Sequence, residues 1–225
     1  YFLKYRLHRL LPWRKLKFLG QLGEMSYWIN NKTNPDYTTF PQKKFNYQKR
    51  FDLYDHVIKK ELGTNPIDYL EFGVSKGHSF RWWLKRINDS SAHFYGFDTF
   101  TGLPEDWGSY KAGDMSNDDQ VPEIDDNRHK FYKGIFQYTL PSFLENYKGE
   151  RQKVIHLDAD LYSSTLFVLA SMAPYLKKGD ILLFDEFNVP MHEYKALRDW
   201  ASAYYIDYSS ICEVNNYYQM ALKIN

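Results

Sequence analysis

From residue 47 onward the apolar positions alternate between two periods, and that alternation carries most of the structural signal. Residues 47–62 place Phe51, Tyr54, Val57, Ile58 and Leu62 at helical spacing on one face, and Gly63 with Pro66 then ends the run in the order expected of a helix C-terminus. Short apolar runs at residues 67–74, 93–98, 130–134, 154–158 and 180–185 follow, and they read as strands. Helical patterns at residues 79–87, 165–176 and 193–205 fall between or after them. The chain closes with two further runs, residues 209–214 and 217–224, and Asn215-Asn216 between them suits a tight hairpin. Strands alternating with helices, joined by right-handed crossovers, predict an α/β fold. It is a Rossmann-like, doubly wound, seven-stranded sheet with helices on both faces and a closing antiparallel β-hairpin. In such sheets ligands bind beyond the carboxyl ends of the strands, where the strand order switches.

The segment before this core has a different character. Residues 1–17 carry Lys4, Arg6, Arg9, Arg14, Lys15 and Lys17 among Leu, Phe and Trp, with no acid. A membrane-surface helix has that composition, but Pro12 interrupts the pattern, which favours a surface helix or packing arm. Residues 30–44 are polar and turn-rich, with Asn34-Pro35 and Phe40-Pro41, and read as a linker. The expected division is a basic arm and linker over residues 1–45 and one folded domain over 46–225, a size at which a single core suffices. The first residue is not Met, so a place within a longer chain is expected to be compatible with whatever the domain does.

Charge and cysteine content narrow the function classes. Lys plus Arg total 29 against 28 Asp plus Glu, so no global field favours nucleic acid. Cys212 is the only cysteine, which excludes a disulfide framework or a Cys-based metal cluster and fits a reducing, cytoplasmic location. No apolar run approaches the roughly 20 residues of a membrane span, so no transmembrane segment is expected. Aromatic residues make up 19% of the chain, enough to supply stacking surfaces for sugars or rings as well as a Tyr-rich core rim.

Two clusters of residues carry candidate chemistry. The first strand runs into Glu71-Phe-Gly73-Val-Ser75-Lys-Gly77-His-Ser79, with glycines where strand turns into helix, so the backbone can approach a ligand closely. The spacing is not the G-x-G-x-x-G that seats a pyrophosphate, and it suits a cofactor without phosphates or a plain turn. Asp98 ends the second strand 21 residues past Gly77, where an acid can accept hydrogen bonds from both ribose hydroxyls. Further along the chain, the fourth strand finishes at Asp158-Ala-Asp160 and the fifth at Asp185-Glu186, which brings four carboxylates to one edge. Buried like charges repel unless protons or a cation neutralise them, and such oxygens suit hard ions such as Mg²⁺ or Ca²⁺. The bland alternative is that each acid caps the following helix or faces water. His78, His156 and His192 lie near these loops but are read as structural, with His156 inside a strand.

With these residues in view, LEFGVSKGHS, FDTFTGLPEDW, KGIFQYTLP, LDADLYSST and LLFDEF, in that order over residues 69–200, resemble the macrocin O-methyltransferase (TylF-type) family. The resemblance implies a class I, S-adenosylmethionine (SAM)-dependent and Mg²⁺-dependent enzyme that methylates hydroxyls of deoxysugars. It places Glu71, Gly73, Ser75, Gly77 and Ser79 around the methionine part of SAM, Asp98 on the ribose and Gln137 beside the adenine. It makes Asp158, Asp185 and Glu186 the metal ligands, with Asp160 as general base beside Asp158 in the catalytic pair. One departure stands out: the family usually ends its fifth strand in Asp-Asp or Asp-Asn, whereas Glu186 here has a longer arm. Residues 114–126, acidic and flanked by Gly113, fall where the family has mobile segments near the site and are a candidate lid.

The expected activity is therefore methyl transfer from SAM to a hydroxyl of a sugar, a small molecule or glycan acceptor, assisted by Mg²⁺ or another divalent cation. Two alternatives remain at this stage. One keeps SAM and moves the acceptor to a phenol or catechol; the other makes the chain a degenerate methyltransferase-fold module of a larger glycan-assembly protein. A homo-oligomer is compatible with each.

Overall fold

The computed structural model describes residues 4–225; Tyr1, Phe2 and Leu3 of the basic segment lie outside the described residues. After a 3₁₀ turn at Leu7–Leu10, the elements run α1 (Trp13–Lys32), β1 (Tyr37–Thr38), α2 (Arg50–Lys60) and β2 (Ile67–Phe72). They continue with α3 (His78–Arg86), β3 (His93–Asp98), β4 (His129–Lys133), α4 (Phe136–Leu144), β5 (Gln152–Leu157) and α5 (Tyr162–Met172). The chain ends with β6 (Ile181–Phe184), α6 (Glu193–Tyr204), β7 (Tyr208–Val214) and β8 (Gln219–Ile224). One eight-stranded sheet results, in the order β1-β7-β8-β6-β5-β2-β3-β4. Strands β2 to β6 are mutually parallel, and β8 runs antiparallel between β6 and β7. The chain builds outward from β2 to β4 on one side and resumes at β5 on the other, so the order switches between β2 and β5.

Alternation along the strands divides the core in two. Leu70, Phe72, Ile155, Leu157, Leu182 and Phe184 join one cluster, with side chains from α4, α5 and α6. Ile67, Tyr69, Val154, Ile181 and Leu183 join the other, against Leu53, Tyr54 and Val57 of α2 and Phe80, Trp83 and Leu84 of α3. A period of two sends neighbouring residues to opposite faces, which is why these strands read as continuous apolar runs.

The structure adds three elements that the pattern did not reveal. Helix α4 contains Pro141, which removes a backbone donor and argues against a helix, yet Phe136, Leu140 and Phe143 are buried along one face. Helix α1 buries Met25 and Trp28, and the Trp28 ring lies 5.4 Å from Phe187 and 5.8 Å from Tyr194. Strand β1 adds an eighth, two-residue edge to the seven expected strands by pairing with β7. Its anchor is the buried Glu213 carboxylate, which accepts hydrogen bonds from the Thr38 hydroxyl and from the Thr39 and Phe40 amides. Residues 13–45 thus attach to the domain at a few points, Met25 and Trp28 in the core and β1 on the sheet edge, and no helix among the described residues is long and apolar enough to cross a membrane.

Candidate active site

A cavity of about 520 Å³ opens at the carboxyl ends of β2, β3, β5 and β6, on the switch in strand order. Gly73, Ser75, Ser79, Asp98 and Gln137 line one part of it; Asp158, Asp160 and Glu186 line another. Gly77, Glu71 and Asp185 do not reach the lining.

The glycine loop is shaped by contacts only glycine permits. Gly73 has φ +104°, and a β-carbon there would lie 1.7 Å from the Asp158 carbonyl oxygen. Its amide donates to Phe97 O at 2.9 Å, while the Asp158 amide donates to Phe72 O at 2.9 Å, so the loop after β2 is pressed against the loop after β5. Gly77, φ +73°, is the residue before α3 and directs that helix N-terminus at the loop. Asp98 accepts from the Ser75 amide at 2.7 Å and the Phe100 amide at 2.6 Å, which hold its carboxylate in place at the cavity wall. Burial raises its pKa above the ordinary value. Glu71 is fully buried and accepts from the Ser79 hydroxyl at 2.6 Å and the Tyr69 hydroxyl at 2.5 Å. It therefore orients Ser79, which is in the wall.

The acids fall into two overlapping groups that share Asp158, and Asp185 and Glu186 belong to different ones. One carboxylate oxygen from each of Asp158, Asp160 and Glu186 lies within 4.8 Å of the others, and the same holds for Asp158, Asp185 and a nitrogen of His156. Asp160 sits at φ +57°, a backbone conformation that Asp tolerates better than most residues and that is found at strained functional turns. Burial, reinforced by the neighbouring acids, pushes Asp158 and Glu186 well above the usual carboxylate range and Asp160 up to about 7. Two buried oxygens, Asp185 Oδ1 and Glu186 Oε2, have no hydrogen-bond partner among the described residues. Unpartnered buried carboxylate oxygens in an all-oxygen set fit a hard divalent cation.

Several contributors escaped the sequence reading. Asp185 is fully buried; its Oδ2 accepts from the Tyr47 hydroxyl at 2.7 Å and lies 3.8 Å from the Arg50 guanidinium. Arg50 occupies the buried face of α2 with Leu53, Tyr54 and Val57, and an arginine at that position of an apolar stripe was the available signal. Glu193, fully buried at the start of α6, accepts the Glu186 amide at 3.0 Å and so fixes the loop after β6. The Tyr218 hydroxyl donates to Glu186 Oε1 at 3.1 Å. His156 is core, between the Tyr54 and Tyr69 hydroxyls at 3.2 and 2.9 Å. The candidate lid contributes Met115 and Ser116 to the cavity.

This crowding has a consequence for stability. Each raised carboxyl binds its proton more tightly in the folded chain than in the unfolded chain, so the folded state is favoured at low pH and loses that advantage as pH rises. For Asp160 the window runs from its ordinary 3.8 to about 7. In EDTA, thermal unfolding should fall by roughly 4–8 °C between about pH 5 and pH 8, the equivalent of about 2 kcal/mol. Added Mg²⁺ should restore most of it at the higher pH; a midpoint that rises with pH would refute the like-charge account.

A parallel sheet closed by an antiparallel hairpin, with a glycine loop at the switch point and an acid ending the next strand, defines the class I methyltransferase fold. Residues 70–187, more than half of the chain, match the profile of a methyltransferase-domain family, and the chain belongs to that family. It is 27% identical over 175 residues to 8-demethyl-8-(2,3-dimethoxy-α-L-rhamnosyl)-tetracenomycin-C 4'-O-methyltransferase of Streptomyces olivaceus, covering 65% of each chain. It is 24% identical over 185 residues to mycinamicin III 3''-O-methyltransferase of Micromonospora griseorubida, covering 65% of this chain and 68% of that one. The chain thus spans about two thirds of the length of these relatives. The crystal structure of CalS11, a calicheamicin methyltransferase, superposes with a TM-score of 0.59 at 22% identity, covering 79% of this chain and 77% of that one, and shares the fold. These similarities agree with the TylF-type resemblance carried by the motifs.

Proposed function

We propose that this chain is a SAM-dependent O-methyltransferase acting on a sugar hydroxyl, with residues 46–225 as the catalytic domain and Mg²⁺ as the assisting cation. The carrying observation is that one cavity is lined on one side by Asp98 and the glycine loop and on the other by Asp158, Asp160 and Glu186. Both curated relatives named above are sugar-directed O-methyltransferases by their names, which supports the choice of acceptor.

When bound, SAM supplies a methyl group on a sulfonium, and a divalent cation lowers the pKa of a nearby hydroxyl. Asp98 would receive the ribose hydroxyls; Gly73, Ser75, Gly77 and Ser79, with Glu71 behind Ser79, would shape the methionine side, and Gln137 would serve the adenine side. Asp158, Asp185 and Glu186 would hold the cation, with Asp158 common to both groups of converging ligand atoms. Asp160, with its pKa pushed up to about 7, is poised to accept the acceptor's hydroxyl proton near neutrality as the oxygen takes the methyl group and the sulfonium becomes a thioether.

Calorimetric titration with S-adenosylhomocysteine (SAH) tests the cofactor half. The protein should bind it both with Mg²⁺ and with EDTA, and Asp98→Ala should weaken binding about 10- to 100-fold, the loss of hydrogen bonds to one charged group. No binding by the folded wild type under either condition would refute the proposal.

A further inference from the structure

The mouth of the cavity carries a feature that the cofactor and the acids leave unused. Trp107 and Tyr110 form a tight turn through reciprocal backbone hydrogen bonds, Trp107 N to Tyr110 O at 3.0 Å and Tyr110 N to Trp107 O at 2.8 Å. The turn puts their rings face to face, centroids 5.3 Å apart and planes inclined by 14°. Both rings line the same cavity as Asp160 and Glu186, and Tyr110 is 44% exposed.

This segment is tied to the elements that follow the acids. On one side the Ser163 hydroxyl donates to Glu105 at 2.5 Å, and Ser163 lies in the first turn of α5, three residues past Asp160. On the other, the Trp107 ring meets His192 edge to face at 6.2 Å, and His192 immediately precedes Glu193, whose carboxylate holds the Glu186 amide. Lys111 Nζ on Asp106 at 2.7 Å and Gly113 N on Leu103 O at 2.9 Å brace the rest of the segment. Placing a large, exposed aromatic surface at a site mouth, with loop hydrogen bonds spent on keeping it there, marks a binding platform more than a packing accident.

Resting on the sugar-acceptor reading, the geometry points to the Trp107–Tyr110 pair as the acceptor subsite: Tyr110 is the contact ring for the C–H face of a pyranose, and Trp107 is its backing. The chemistry matches. A pyranose has an apolar C–H face and a hydroxyl-bearing edge; the rings take the first, and Asp160 with Glu186 face the second. Tyr47 and Tyr218 also line the cavity, backed by Phe45 at 6.2 and 5.1 Å, and donate their hydroxyls to Asp185 and Glu186. A flat phenol would call for a purely apolar slot; this cavity sets Asp158, Asp160 and Glu186 in the same lining as the aromatic rings.

The test is saturation-transfer NMR on SAH-loaded protein with methyl α-L-rhamnopyranoside as the probe and catechol as the competing class, on wild type, Tyr110→Phe and Tyr110→Ala. Wild type and Tyr110→Phe should transfer saturation to the sugar ring protons, and Tyr110→Ala should need roughly tenfold more sugar for the same signal, with SAH affinity equal in all three. Equal sugar signals from Tyr110→Ala and wild type would overturn the subsite. So would a wild type that binds SAH but not the sugar, or one that takes catechol in its place. Failure of the wild type to bind SAH would instead sink the methyltransferase reading beneath it.

Discussion

Gly73→Ala should be among the most damaging single substitutions in this chain, lowering the thermal midpoint by roughly 8–16 °C, the equivalent of about 4 kcal/mol in a protein of this size. Two costs add. The position has φ +104°, which side-chain-bearing residues rarely adopt, and the new methyl would lie 1.7 Å from the Asp158 carbonyl oxygen, a backbone atom that no rotamer change can move aside. Relief requires the loop after β2 to part from the loop after β5, and those are the two loops that bring the proposed cofactor and metal residues together. Surviving folded protein should therefore have lost SAH affinity as well as stability. Gly63→Ala is the control: nothing lies within 4 Å of its β-carbon position, and the change should stay within about 0.5 kcal/mol. Scanning calorimetry of both variants decides it. A Gly73→Ala protein as stable as the control would mean that the two loops are not in the contact described.

What the sequence could and could not reveal follows from how local each cause is. Strand β3 was read with its observed bounds, His93–Asp98, because Phe94, Tyr95 and Phe97 make a short aromatic run that a polar residue closes at each end. The acids at 158, 160, 185 and 186 were legible because strand ends carry them to one edge whatever the loops do. Helix α4 was hidden by Pro141, whose local penalty is outweighed by burying Phe136, Leu140 and Phe143. Helix α1 was hidden because only Met25 and Trp28 of its 20 residues are buried, too sparse a stripe among polar and glycine positions. The partners of Asp185 were out of reach for a different reason: Tyr47 lies 138 residues away and joins it only once the sheet has formed. Glu193 looked like an ordinary acid in the first turn of a helix, where the helix dipole alone would explain it. Its role in holding the Glu186 amide exists only in three dimensions.

Asp158→Asn should separate what the cluster does for the fold from what it does for chemistry. Asp158 belongs to both groups of converging ligand atoms, so its loss should disable the proposed cation site more completely than loss of Asp160 or Glu186. Methyl transfer to a sugar acceptor should fall on the order of a thousandfold, which corresponds to about 4 kcal/mol of lost transition-state stabilisation. Yet the amide keeps the shape of the carboxyl and removes one charge from a buried, like-charged set, whose repulsion with Asp185 and Asp160 is part of what raises the Asp158 pKa. In EDTA at about pH 8 the variant should therefore unfold several degrees higher than wild type, the trade of stability for activity expected of a site that crowds charge. SAH affinity should be unchanged, since Asp98, Ser75 and Gln137 line another part of the cavity. Full activity in this variant would remove the metal mechanism. A lower midpoint in EDTA would show instead that Asp158 serves the fold as a charged, paired group, and that the acids were never in conflict.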